Sequence, residues 1–267
     1  MSFRNGSEGD RVKELVSELK GATQTRSRFF WSDAELVDRE TSVRYAKVYL
    51  QVDRLSSAIE AGQFVLVRYK EDPCLPRAFS MMSVSDRGLC LFVKTEGRVR
   101  ERLSRCPMGT PFEVRGPFGT PYSQVVSLKR RYLLIGGGSG AAPLLCFQNQ
   151  HQEMVADAVY GFRTADVCAL LPRESLVVEE STGIRAVDRA EEIWQKGLGI
   201  IACGPESMLR LLAHTYRGEP DIYVSLEARI GCGIGTCLGC SIETKSGMRR
   251  ICTEGPLFAA DELLWLC

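Results

Sequence analysis

Between Tyr132 and Glu153 the chain reads YLLIGGGSGAAPLLCFQNQHQE. A short apolar run, glycines broken by one serine, and a longer apolar stretch describe a buried strand, a tight turn and a helix. Downstream, DAVYGFR (157–163) and SLVVEES (175–181) read as further strands, and LGIIACGPESMLRLLAHTY (198–216) as a strand running into a helix. Strands that alternate with helices imply a parallel α/β sheet covered on both faces. In such a turn Gly136, Gly137, Gly138 and Gly140 let a phosphate approach backbone N–H groups at a helix N-terminus. The glycines depart from the G-x-G-x-x-G frame, and Arg163 stands where an acidic ribose contact would end the second strand. A structural glycine turn therefore stays open beside nucleotide binding. Cys203-Gly204 follows the last strand at the sheet edge where open α/β sheets bind ligands; Cys203 either flanks a nicotinamide or packs.

Upstream the periodicity changes. YAKVYLQV (45–52), AGQFVLVRY (61–69), LCLFVKT (89–95) and PFEVRGPFG (111–119) are short runs separated by Gly and Pro, as in a small closed barrel. Arg77-Ala78-Phe79-Ser80 reads as a strand end in that barrel. Its arginine can pair with a pyrophosphate, its ring can cover a flavin face and its hydroxyl can reach the flavin edge. Residues 1–24 read as a tail with one amphipathic helix, Val12, Leu15, Val16 and Leu19 sharing a face.

Past Tyr223 the composition turns to Gly and Cys. Of eleven cysteines, four crowd into 232–252 as Cys232, Cys237, Cys240 and Cys252, spaced C-x4-C-x2-C-x11-C. Plant-type [2Fe–2S] sites use C-x4-C-x2-C with a distant fourth ligand. The intervening glycines suit a loop wrapped tightly round a cluster, with N–H donors aimed at its sulfurs. Structural zinc prefers two C-x2–4-C knuckles, and only one C-x2-C occurs here. An iron–sulfur cluster leads, with zinc and unliganded thiols as the other readings.

Composition narrows the rest. Lys plus Arg number 34 against 33 Asp plus Glu, which leaves no basic field for nucleic acid or an anionic membrane. No apolar run is long enough to span a bilayer, and the polar N-terminus lacks a signal-peptide core. The expected setting is cytoplasmic, where thiols stay reduced. The expected fold class is mixed β and α/β: a tail (1–24), an antiparallel β-barrel flavin domain (25–125), a parallel α/β nucleotide domain (126–222) and a small C-terminal [2Fe–2S] module (223–267).

In this order the motifs resemble the electron-transfer subunits of NAD-dependent, class 1B dihydroorotate dehydrogenases, within the ferredoxin-reductase group. The resemblance runs from about Val43 to Phe258. GCGIGTCLGCSIETKSGMRRICTEGPLF (231–258) is its most specific piece, supported by RAFS, LLIGGGSGAAPLL, VYGFR and IIACGPESML. It implies that Arg77, Ala78, Phe79 and Ser80 hold FAD, joined by Val93, Lys94 and Thr95, and that Cys232, Cys237, Cys240 and Cys252 hold iron. It further implies an FMN-containing catalytic subunit, in a heterotetramer of two of each, that oxidises dihydroorotate to orotate for pyrimidine synthesis. Electrons would then cross [2Fe–2S] and FAD to NAD⁺. Relatives carry a Gly-Thr step on the flavin phosphates where this chain has Gly97-Arg98-Val99-Arg100, so basic side chains are expected to replace backbone contacts. The loop Glu179–Gly183 is shorter than in relatives. Two alternatives stay open: a similar subunit of a ferredoxin:NAD(P) reductase or of a hydrogenase or sulfur-reductase complex, and an NAD-independent relay.

Overall fold

The computed structural model describes residues 30–53, 59–70, 75–171, 176–178 and 183–266. The expected tail helix and residues 179–182 of the short loop lie outside them.

Six strands close the barrel: β1 (Ser32–Thr41), β2 (Tyr45–Val52), β3 (Phe64–Tyr69), β4 (Arg77–Ser85), β5 (Gly88–Lys94) and β6 (Pro111–Phe118), in the order β1-β2-β5-β4-β3-β6. All neighbours pair antiparallel, and β1 meets β6 through Ala34 opposite Phe112. Closure leaves no free edge. Strand β1 carries no alternating apolar run in sequence; only Ala34 and Leu36 of its ten residues are buried, and pairing on both sides makes it a strand. Helix α1 (Arg98–Arg105) follows β5 and Gly97. Val48, Leu50, Val65, Leu91, Leu103 and Val114 pack the interior.

The second unit is a six-stranded sheet. Its strands are β7 (Tyr132–Gly137), β8 (Val155–Phe162), β9 (Leu176–Val178), β10 (Gly199–Cys203), β11 (Ile222–Ser225) and β14 (Leu257–Ala259), ordered β14-β11-β10-β7-β8-β9. All pair parallel except β14, which runs antiparallel to β11. Helices α2 (Ala141–Gln150), α3 (Ala186–Ile193) and α4 (Glu206–Thr215) supply the crossovers. The sheet thus extends past the boundary expected at 222/223: β11 straddles it, and β14 returns from the cysteine-rich segment.

That segment adds the hairpin β12 (Ser241–Thr244) and β13 (Gly247–Arg250) and the single turn α5 (Ile251–Glu254). Its buried Ile230, Cys240, Ile251, Cys252 and Leu263 join one core with Leu133, Ile200 and Val224 of the sheet and with Phe64 and Phe118 of the barrel. So small a piece buries little apolar surface alone, and it borrows its core from both neighbours. The opposite face of the sheet packs under α2, where Tyr45 and Phe92 of the barrel meet Phe162 of β8.

Candidate functional site

Strand register puts the chemistry in one row. Gly136, Cys203, Ser225 and Leu257 are successive neighbours across β7, β10, β11 and β14. The first three stand at the carboxyl ends of parallel strands, the edge where such sheets bind ligands. Facing this edge, β4 and β5 of the barrel bring Ala78, Phe79, Ser80, Val93 and Lys94. Together with Arg100, Ser139, Glu227, Ile230, Ile251 and Pro256 these residues line a cavity of about 130 Å³. Ordinary small-molecule pockets start near roughly 300 Å³, so the enclosed part suits the edge of a planar ring rather than a whole dinucleotide.

The flavin candidates take the following places. Arg77–Ser80 opens β4 instead of ending a strand. Phe79 is buried among Val65, Met81 and Leu91 in the barrel core, while its alternate neighbours Ala78 and Ser80 share the other face. Phe79 also lines the cavity beside them, so it borders the barrel core and the site at once. Gly97 (φ 93°) is the N-cap of α1, so helix N–H groups are present beside the basic side chain of Arg100. Arg77 is exposed, with its guanidinium on the carbonyls of Leu75 and Pro76. Thr95 does not line the cavity; its hydroxyl donates to the carbonyl of Val43 at 3.0 Å and steadies the end of β5.

Cys203 is fully buried, and burial, with the Glu227 carboxylate second, pushes its thiol well up. It serves the site as a neutral small group. Ser139 stands 3.4 Å from Glu227. Sequence reading missed Tyr45, Phe92, Ser139, Ser225 and Glu227, whereas Arg100 was expected there as a basic side chain. Ser139 was visible inside the glycine run; the others are single residues from separate elements with no local pattern.

A larger cleft of about 480 Å³ opens on the other side of β7, lined by Arg44, Tyr45, Lys94, Gly137, Gly138, Arg163, Pro205 and Met208 among others. Arg44, Lys94 and Arg163 give it the cationic lining that phosphates need. Not every glycine of the run faces it. A side chain on Gly140 would sit 2.2 Å from the carbonyl oxygen of Cys203, and one on Gly136 2.7 Å from the Tyr160 ring. Gly137 and Gly138 line the cleft; Gly138, at φ +56°, makes the turn. Gly204 abuts Gly137 and closes the two turns together.

The four clustered cysteines come together as two pairs. The thiols of Cys232 and Cys237 are within hydrogen-bond reach, as are those of Cys240 and Cys252. Burial raises the Cys232 thiol, but the Thr236 hydroxyl and the N–H groups of Cys237 and Ile234 outweigh it and bring it down to about 6. Burial and the neighbouring Cys240 push Cys252 up to about 12, with the Gly235 N–H pulling the other way. No group of three or more His, Cys, Asp or Glu side chains among the described residues is set for a single metal ion. Two thiol pairs, each served by backbone donors, fit a diiron cluster in which each iron takes two cysteines. The loop is held from outside as well: Arg115 of β6 donates to the Cys232 carbonyl, and Arg249 and Arg250 grip Glu254 beside Cys252 at 2.9 and 3.0 Å.

Comparison with known proteins agrees with this geometry. Residues 227–264 match the family model described as the iron-sulfur cluster binding domain of dihydroorotate dehydrogenase B. Among solved structures, an NADH-dependent reduced ferredoxin-NADP oxidoreductase superposes with a TM-score of 0.74 at 24% identity, over 86% of this chain and 89% of that one. It shows a shared fold. The dihydroorotate dehydrogenase B (NAD(+)) electron transfer subunit of Geobacillus thermodenitrificans is 31% identical over 77% of this chain and 87% of its own length. Its counterpart in Geobacillus sp. strain WCH70 is 32% identical over 76% and 86%. With barrel, sheet and cysteine module in the same chain and likeness running through all three, this protein belongs to the family of dihydroorotate dehydrogenase B electron-transfer subunits.

Proposed function

We propose that the chain carries electrons as the electron-transfer subunit of a dihydroorotate dehydrogenase, between a [2Fe–2S] cluster and FAD, with a nicotinamide dinucleotide as the outer acceptor. One observation carries the reading: the cysteine module supplies Ile230, Ile251 and Pro256 to the same cavity that the barrel lines with Ala78 and Ser80 and the sheet with Cys203 and Ser225. When bound, the cluster supplies single-electron steps and the flavin joins them to the two-electron chemistry of a nicotinamide.

The chain's own residues do the holding. Arg77, Ala78, Phe79, Ser80, Val93, Lys94, Thr95 and Gly97 would hold FAD along β4, β5 and the start of α1, with Phe79 also anchoring β4 in the barrel core. Cys232 and Cys237 would take one iron, Cys240 and Cys252 the other. Ile230 and Ile251, which line the cavity beside the cysteine loop, would keep water from it. Gly137, Gly138 and the cations Arg44, Lys94 and Arg163 would receive the dinucleotide phosphates, and this cationic cleft favours nucleotide use over an NAD-independent relay. The reading includes an FMN-containing catalytic partner, two copies of each subunit, and a cytoplasmic setting in which the cysteines stay reduced.

The test is anaerobic reconstitution with a candidate FMN-containing catalytic subunit, following orotate formed from dihydroorotate. Production that requires this chain and accelerates with NAD⁺ is expected. Production driven by an artificial dye but indifferent to NAD⁺ would remove the nicotinamide step, and none under either condition would remove the partner.

A further inference from the structure

Strand β6 of the barrel touches the ligand loop at two points. Gly233, at φ +75°, lies so near the Phe118 ring that a side chain there would stand 2.8 Å from it. Beside it the Arg115 guanidinium donates to the carbonyl of Cys232. Arg115 lies between aromatic rings, 5.4 Å from Trp31 and 5.5 Å from Phe118, and its Nε is buried without a hydrogen-bond partner.

Neighbouring cations are neutralised where Arg115 is not. Arg68, 4.2 Å from the Trp31 ring centre, pairs with Glu113 at 2.6 Å. Arg249 and Arg250 both pair with Glu254. Arg229 is exposed, and water screens it. Among the described residues Arg115 has no acidic partner, so its charge acts on the cysteine loop from a half-buried position where electrostatic effects are stronger than in water. Reduction adds negative charge to a cluster, and a fixed positive charge nearby favours the reduced form.

We propose that Arg115 is a positioning residue that raises the reduction potential of the cluster held by Cys232, Cys237, Cys240 and Cys252, through its unneutralised charge and its bond to the Cys232 carbonyl. The barrel thereby adjusts the electron affinity of a group it does not ligate, and the fall in potential between cluster and flavin depends on a residue of the flavin domain. The inference rests on the assignment of these four cysteines as ligands.

The experiment is an anaerobic potentiometric titration of the full-length holoprotein. The reduced cluster is read by its electron paramagnetic resonance signal, and the flavin by absorbance. Native chain is compared with Arg115→Gln, Arg115→Met and Arg115→Lys, with iron and sulfide counted in each. Expected is a full cluster in all four, a midpoint displaced to more negative potential in the Gln and Met variants, a near-native midpoint in Lys, and an unmoved flavin midpoint. Three results would overturn the proposal: native midpoints in the neutral variants; equal displacement in Lys and Gln, which removes charge as the cause; or loss of cluster from any variant, which makes Arg115 a clamp on the loop. A native chain that takes up no iron would instead overturn the ligand assignment itself.

Discussion

At the scale of single residues, the site is built from close approaches that tolerate no extra atom. Gly140 is the sharpest case. The turn after β7 and the turn after β10 meet there, and a methyl group would stand 2.2 Å from the Cys203 carbonyl oxygen, which is rigid backbone at a strand end. Overpacking of this kind costs about 1–3 kcal/mol. Gly140→Ala should therefore lower the urea midpoint with the slope unchanged, and should weaken flavin retention because Cys203 lines the cavity proposed for the flavin. An unchanged midpoint would mean that the two turns can part freely. The sequence marked this glycine for phosphate approach; in the structure the neighbouring strand fills the space a side chain would need.

Among elements, one contact that joins the barrel to the sheet beside the cleft proposed for the nucleotide is a carboxylate latch. Asp166, in the turn after β8, accepts from the Ser42 hydroxyl at 2.8 Å and the Arg44 N–H at 2.7 Å in the β1–β2 turn, and from its own neighbour Thr164 at 2.5 Å. Partial burial raises its pKa, but the hydrogen bonds from Thr164, Arg44 and Ser42 together outweigh that and lower it below the ordinary 3.8. Because the folded value is depressed, the stabilisation is complete above 3.8 and disappears as pH falls through the lower folded value. Asp166→Ala should cost about 1–2 kcal/mol at neutral pH, the range for hydrogen bonds to a partly screened charge. Denaturant titrations at several pH values should show the gap to the native chain closing below pH 3.8. A gap that stays constant there would mean that the carboxylate charge contributes nothing.

For the whole molecule, the shared core makes the cysteine module inseparable from the rest. Ile230, Ile251 and Leu263 pack with Leu133, Ile200 and Val224, and β14 completes the nucleotide sheet. A cluster bound only by the folded chain stabilises it by mass action. Removing the iron with a chelator under anaerobic conditions should therefore lower the melting temperature of the entire chain in one cooperative transition. A separate early transition, with the remainder melting at its original temperature, would show the module to be an independent unit. The same connectivity explains why no boundary lies at 222/223. Covalent order places β11 next to the cysteines, but backbone hydrogen bonding places it beside β10.

What the sequence determined by itself was whatever depends on local periodicity or spacing. The strand-turn-helix at Tyr132–Gln150, the alternating barrel strands and the C-x4-C-x2-C-x11-C ligand pattern are all written in contiguous residues, because a tight wrap or a buried strand constrains its own neighbours. Only the tertiary structure decided which glycine lines a cleft and which abuts a strand. It also made a strand of polar Ser32–Thr41 and brought Phe79, Ser225, Glu227 and Arg100 to one cavity. Those outcomes depend on pairings between residues far apart in the chain. Burial, register and an uncompensated charge such as that of Arg115 exist only once barrel, sheet and cysteine loop are in contact.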